Sequence, residues 1–222
     1  VTETNWAARL PAVKSKADLV HASLREAIAA GDLRPGERVN MDELARRFGV
    51  SKIPVREAVK RLESEGLVVS RVHSGVVVAG IERTEMRGVF LARKEIDALV
   101  AGLAAERADG PLVEALDQVQ ESMRAALGAG EVDELQRLNS EFHRLLAEAS
   151  GYRILADLTE QLLLTIRRYR VTTPKNARNW LAVLEEHHAV IEALRVRDPE
   201  RAAAAAREHT ASQAGLEIAD PV

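Results

Sequence analysis

The 222-residue chain contains no cysteine. That absence excludes disulfides, thiolate nucleophiles and Cys-ligated zinc, and leaves any transition metal to histidine and carboxylate ligands. No apolar run approaches the roughly 20 residues of a membrane-spanning helix, and no stretch resembles a signal peptide. The expected location is therefore the cytoplasm, with no membrane partner. No internal repeat of about 20–50 residues is evident, which disfavours a helical solenoid. A large net charge is missing too: the formal value is −3, so nothing global points to nucleic acid.

What is present is uneven. Residues 1–82 carry 13 Lys+Arg against 11 Asp+Glu, whereas 83–222 carry 18 against 23. Between Arg46 and Arg61 there are six basic residues (Arg46, Arg47, Lys52, Arg56, Lys60, Arg61) and one acid, Glu57. Positive charge focused on one short element is what a phosphate-binding surface requires. With 46% hydrophobic residues the chain can bury substantial cores, and its length suits two modest domains.

Residues 1–13, which include Pro11, show no sustained period and read as a flexible arm. From Lys16 to Ala30, Val20, Leu24, Ala27 and Ile28 mark one apolar helical face, ended by Gly31. Asp32 to Gly36 is turn chemistry. Asn40 caps the next helix, with Glu43 placed to reach back in a capping box, and Met41, Leu44, Ala45 and Phe48 form its buried stripe. Gly49-Val50 breaks that helix, and Ser51 offers a new N-cap ahead of Pro54. Val55, Ala58, Val59 and Leu62 then face inward and Gly66 is the C-cap candidate. Two β-branched runs, Leu67 to Val69 and Val76 to Val78, flank Ser70 to Gly75 as a hairpin, or wing.

Helix, Gly turn, basic helix and hairpin together suggest a DNA-reading head. The first two turns of a recognition helix enter the major groove, and free N–H groups at the Ser51 end favour phosphate. The alternative is that Arg56, Lys60 and Arg61 are simply a solvated helix face. The run from Leu24 to Val78, containing LREAIAAGDLRPGERV, ELARRFGVSKIPVREAVKRLESEGLV and the HSG tip, spans 55 residues and closely resembles the winged helix of GntR-family transcriptional regulators. The resemblance places Ser51, Lys52 and Arg56 at base- and phosphate-contacting positions, and His73, Ser74 and Gly75 at the wing tip. Members commonly have Arg-Thr where this chain has Lys52-Ile53, and often a basic residue where it has Asp42. Lysine lacks arginine's rigid bidentate fork to guanine.

From residue 84 onward the pattern is long amphipathic helices at about 84–108, 112–128, 132–150, 153–172, 177–197 and 199–218, each break marked by Gly or Pro. His143 lies four residues after Asn139, on the same helical face. His187 and His209 are each 11 residues from Asp198, at the Asp198-Pro199 break. An antiparallel hairpin bent there brings both imidazoles level, about 16 Å from the bend. The plain alternative is three isolated polar residues in a helical bundle.

This half resembles the all-helical FCD ligand domain of the FadR-like branch, carried by RKEIDALVAGLAAERA, NSEFHRLLAEASGY, EEHHAVIEAL and the helix bearing EHT. In that family an Asp and three His hold a divalent metal, often zinc or nickel, beside a small carboxylate effector. The resemblance puts His143, His187 and His209 at the His positions and Asn139 at the Asp position, where a neutral amide is a poorer donor. Arg93 matches a recurrent arginine able to pair with an organic acid; a salt bridge to Glu or Asp is its alternative role.

The sequence is thus read as a mainly α protein: a winged helix-turn-helix at 14–80 and an all-α six-helix bundle at 84–218 that binds effector and dimerises. The expected function is a ligand-responsive regulator, a repressor, acting as a homodimer on a palindromic duplex operator, since one head covers a half-site. A metal-dependent hydrolase or lyase built on the three His is the alternative, with Glu141 and Glu148 as acid–base candidates. A third reading is a helical adaptor that binds only protein.

Overall fold

A computed structural model describes residues 14–72, 74–172 and 180–218. The expected arm at 1–13 lies outside the described residues. The chain divides into two units, Val1–Gly80 and Ile81–Val222.

In the first unit, α1 (Lys16–Ala30) begins with a reciprocal cap. The Ser15 hydroxyl accepts from the Asp18 amide, and the Asp18 carboxylate accepts from the Ser15 amide. Val20, Leu24 and Ile28 are buried, and Gly31 closes the helix at φ 87°, a left-handed conformation open to glycine without steric penalty. α2 (Met41–Phe48) is capped by Asn40, whose Oδ1 accepts from the Asp42 and Glu43 amides. Among the described residues the return bond of the expected box is not made, and the Glu43 carboxylate lies 4.0 Å from Arg47 instead.

Phe48 departs from the expected buried stripe and is 37% exposed. It is the last residue of the eight-residue α2. α3 (Lys52–Ser64) buries Val55, Ala58, Val59 and Leu62 and packs on α1. Its C-cap is Glu65 in right-handed conformation, so the expected Gly66 follows one residue later, at φ 69°.

Strands β1 (Val68–Arg71) and β2 (Gly75–Val78) pair antiparallel, Val68 opposite Val78 and Arg71 opposite Gly75. A third edge, unanticipated, lies beside them: Arg38 bridges to Val77, the Val39 amide donates to Val76 O and the Val78 amide donates to Glu37 O. The wing is thus braced from the turn that precedes α2.

The second unit comprises α4 (Arg83–Arg107), α5 (Gly110–Ala129), α6 (Val132–Ala149), α7 (Arg153–Thr172), α8 (Trp180–Arg195) and α9 (Pro199–Ile218). Gly110 and Pro111, expected as a break, form the first turn of α5 because the Asp109 carboxylate accepts from the Leu112 amide. Proline is tolerated there, where its missing N–H has no helical partner to lose. Leu116, Met123, Phe142, Ile191 and Leu194 anchor a continuous core, each large side chain contributing roughly 1.5–3 kcal/mol by burial.

α4 packs along α9, α6 and α7. The Ala-rich stretch of α9 is explained by this packing: Ala202 and Ala206 are buried, and a Cβ on Gly102 of α4 would sit 3.3 Å from Pro199 O. At the bend between α8 and α9, Arg197 takes φ 51° and the Asp198 carboxylate caps α9 by accepting from the Arg201 amide. Among the described residues no helix is long and apolar enough to cross a membrane.

Candidate functional sites

On the head, Ser51 occupies the N-cap position of α3, but its hydroxyl makes no capping bond, contrary to expectation. The first-turn N–H groups of α3 are thus left without a side-chain cap. Lys52 Nζ lies 2.8 Å from Asp42 Oδ1, both side chains exposed. Arg56 and Lys60 are exposed on α3. Arg61 turns toward α1, its Nη1 2.6 Å from Asp18 Oδ1, and that hydrogen bond holds the Asp18 carboxyl well below its usual range. Ser74 and Gly75 form the wing turn, with Gly75 at φ 73°. His73 lies outside the described residues.

In the bundle, His143 from α6, His187 from α8 and His209 from α9 converge, all buried, with their ligand nitrogens within 4.8 Å of one another. The α8–α9 bend brings the last two rings to 4.7 Å between centroids. The His187 ring lies flat on Phe142 at 3.8 Å, and neither of its nitrogens meets a hydrogen-bond partner among the described residues. His209 Nδ1 is 2.7 Å from Glu186 Oε2, and its Nε2 is 3.3 Å from His143 Nε2.

Arg93 of α4 enters the same centre. Buried to 2% exposure, it places Nη2 2.7 Å from His143 Nε2 and Nε 2.8 Å from Asp97 Oδ2. Thr210 Oγ1 donates to the same Asp97 oxygen at 2.8 Å. Guanidinium can only donate, so His143 Nε2 carries a lone pair. Desolvation lowers all three histidine pKa values, His209 to about 3, with the Arg93 charge adding to the shift at each ring. Burial raises the Asp97 and Glu186 carboxyls. All three rings are therefore neutral, the form that ligates a metal.

Two small cavities border the centre, each of about 10 Å³, room for roughly one water. One is lined by Asp97, His143 and His209; the other by Arg93, Asn139, Ser140, Arg167 and Arg170. Asn139, one turn before His143, is buried.

Two family models match: residues 16–78 fit the bacterial regulatory proteins of the gntR family, and residues 88–212 fit the FCD domain. The HTH-type transcriptional regulator YdhC of Bacillus subtilis is 30% identical over 187 residues, 84% of this chain and 82% of that protein. The HTH-type transcriptional repressor RspR of Escherichia coli is 28% identical over 86% of this chain and 83% of its own. Among solved structures, E. coli McbR/YncC superposes with a TM-score of 0.81 at 22% identity, covering 92% of this chain and 98% of that one.

The chain belongs to the GntR family.

A GntR-family protein with an FCD domain is a DNA-binding transcriptional regulator, and its relatives are regulators, not enzymes. The hydrolase or lyase alternative finds no support: Glu141 is engaged by Arg137 at 2.7 Å and Glu148 is exposed. Ser51, Lys52 and Arg56 lie together at the N-terminal end of α3. Sequence reasoning missed Asp97, Glu186 and Thr210. Asp97 alone left a local trace, one helical turn from Arg93; the others reach the centre only through tertiary packing.

FCD domains often bind a metal, and the three-His donor set fits one. Glu186 as a carboxylate can only accept, so His209 donates through Nδ1 and turns a lone pair at Nε2 toward the lone pair of His143. Two acceptors 3.3 Å apart repel unless a cation lies between them or Glu186 carries a proton. Two imidazoles on a tetrahedral zinc sit about 3.3–3.4 Å apart, from Zn–N bonds of about 2.0–2.1 Å. An orphaned nitrogen of His187 could supply a third donor, and the Glu186–His209 bond is of the kind in which an outer carboxylate would orient a ligating imidazole.

Proposed function

We propose that this chain is a ligand-responsive repressor whose operator affinity is set by a small carboxylate bound at the buried histidine centre. The observation that carries the reading is Arg93, held between Asp97 and the lone pair of His143. A small carboxylate is a better acceptor for guanidinium than a neutral imidazole. When Arg93 turns to such an acid, the His143 lone pair is released; His143, His187 and His209, with Asn139 as a weak neutral donor, would then hold a divalent metal. That metal would supply a fixed positive charge against the acid. Both neighbouring cavities admit only about a water, so an acid enters only as these side chains move together, which is how binding can favour one state of the bundle over another.

On the DNA side, Ser51, Lys52 and Arg56, with the wing turn at His73, Ser74 and Gly75, contact a half-site of a palindromic operator, and the protein acts as a homodimer. Repression is supported by the name of the relative RspR. The acid changes DNA affinity by no more than its differential affinity for the two states.

The test is a thermal-shift screen of full-length protein against small mono- and dicarboxylates, with and without zinc, followed by duplex retention with the acid that shifts most. The reading expects a stabilising acid that changes retention of wild-type protein, and near-complete loss of retention in Arg56→Ala at unchanged oligomeric state. A panel in which no acid both stabilises the protein and alters retention would overturn the sensing role; unchanged retention in Arg56→Ala would overturn the assignment of α3.

A further inference from the structure

The ion pair between Asp42 and Lys52 joins the first turn of α2 to the first residue of α3, with both side chains more than 60% exposed and 2.8 Å apart. Exposed pairs of this kind add little to stability. The Asp42 backbone is nevertheless fixed at the start of α2, because its amide donates to the capping Asn40. No acidic residue stands in the first turn of α3, so among the described residues Asp42 is the carboxylate that reaches Lys52. It weakens Lys52 as a phosphate clamp and leaves that task to Arg56 and Lys60, which meet no ion-pair partner among the described residues. Ile53, beside Lys52, is 65% exposed, an apolar side chain more suited to a base edge than to a phosphate.

From this we infer that Asp42 and Lys52 act as one base-reading unit, selecting a single G·C pair in each half-site with lysine over guanine and aspartate over cytosine. The inference rests on α3 being the base-reading helix. One of the three lysine protons is taken by Asp42, and two remain for adjacent acceptors. The major-groove edge of a G·C pair offers guanine N7 and O6 side by side, then the cytosine N4–H donor, which needs an acceptor such as Asp42. An A·T pair places its donor between two acceptors and adds a methyl beside thymine O4, so the ion pair meets it with mismatched groups.

The experiment is selection of bound duplexes from a randomised library by the full-length wild type, Asp42→Ala and Lys52→Ala, each checked for an unchanged far-UV spectrum. Wild-type protein should recover sequences with one G·C pair favoured in each half-site by roughly 5- to 150-fold, the range of one good base contact. Both variants should lose the preference at that same pair and keep it elsewhere, and Asp42→Ala should retain random duplex more strongly, having shed a repulsive charge. The inference is overturned if Asp42→Ala shifts affinity for every sequence alike while selecting the same sequences, or if the two variants blur different positions. A wild-type protein that recovers no preferred sequence overturns it together with the base-reading role of α3.

Discussion

Both halves of the chain carry exposed ion pairs, but among the described residues only the bundle buries charged side chains. In the head, Lys52–Asp42, Arg61–Asp18 and Arg47–Glu43 lie in water, where such a pair is worth little and can exchange one partner for another. In the bundle, Arg93, Asp97, Thr210, His143 and His209 are all buried and linked in one polar group, with the His187 ring packed beside it. There, removing one charge strands its partner in a low-dielectric interior. The contrast suits the division of labour. A surface that must trade protein contacts for DNA contacts keeps its charges loose, and a core that must change state as a unit keeps them locked together.

The largest test of that contrast is Arg93→Met, which strands the Asp97 carboxylate. It should lower the free energy of unfolding by about 3 kcal/mol or more, and adding Asp97→Asn should recover part of the loss, as read from denaturant midpoints. An Arg93→Met protein as stable as wild type would mean that the interior pair is no more binding than a surface one.

A smaller effect is expected from acid. His143, His187 and His209 are held below the ordinary histidine range, chiefly by desolvation, so the unfolded chain takes up protons that the folded bundle refuses. Their stability contribution is whole above about pH 6.5 and drains as pH falls below it toward the folded value of His209, about 3. Asp97 and Glu186, raised by burial, work in the opposite sense in acid and offset part of this loss. Denaturant midpoints should therefore fall between pH 7.5 and pH 5; a flat profile across that interval would show that the rings are not buried neutral.

The smallest effect belongs to the head. Arg47→Gln breaks the 4.0 Å contact with Glu43 and should move stability by less than about 0.5 kcal/mol, measured the same way. A loss comparable to that of Arg93→Met would erase the distinction between the halves.

How much of this could be read in advance divides along the same line. The helix, turn, helix and hairpin of the head follow from local signals: Asn40 as a cap, Gly49 as a left-handed stop at φ 63° and paired valine runs. The meeting of His187 and His209 was legible because equal spacing from Asp198 fixes it by helix geometry alone. Phe48 and Ser51 went differently because exposure and cap bonding depend on what lies alongside, not on residue type. Arg93 to His143 spans 50 residues, Glu186 to His209 spans 23 and Thr210 to Asp97 spans 113, and no periodicity within one helix reports such contacts.

The most direct measurement is a calorimetric titration of zinc into chelator-treated full-length protein, wild type beside His187→Ala. The account predicts saturable uptake of one zinc per chain by the wild type, and its loss in the variant with helical content unchanged. Absence of saturable uptake by the wild type, or equal uptake by the variant, would contradict it.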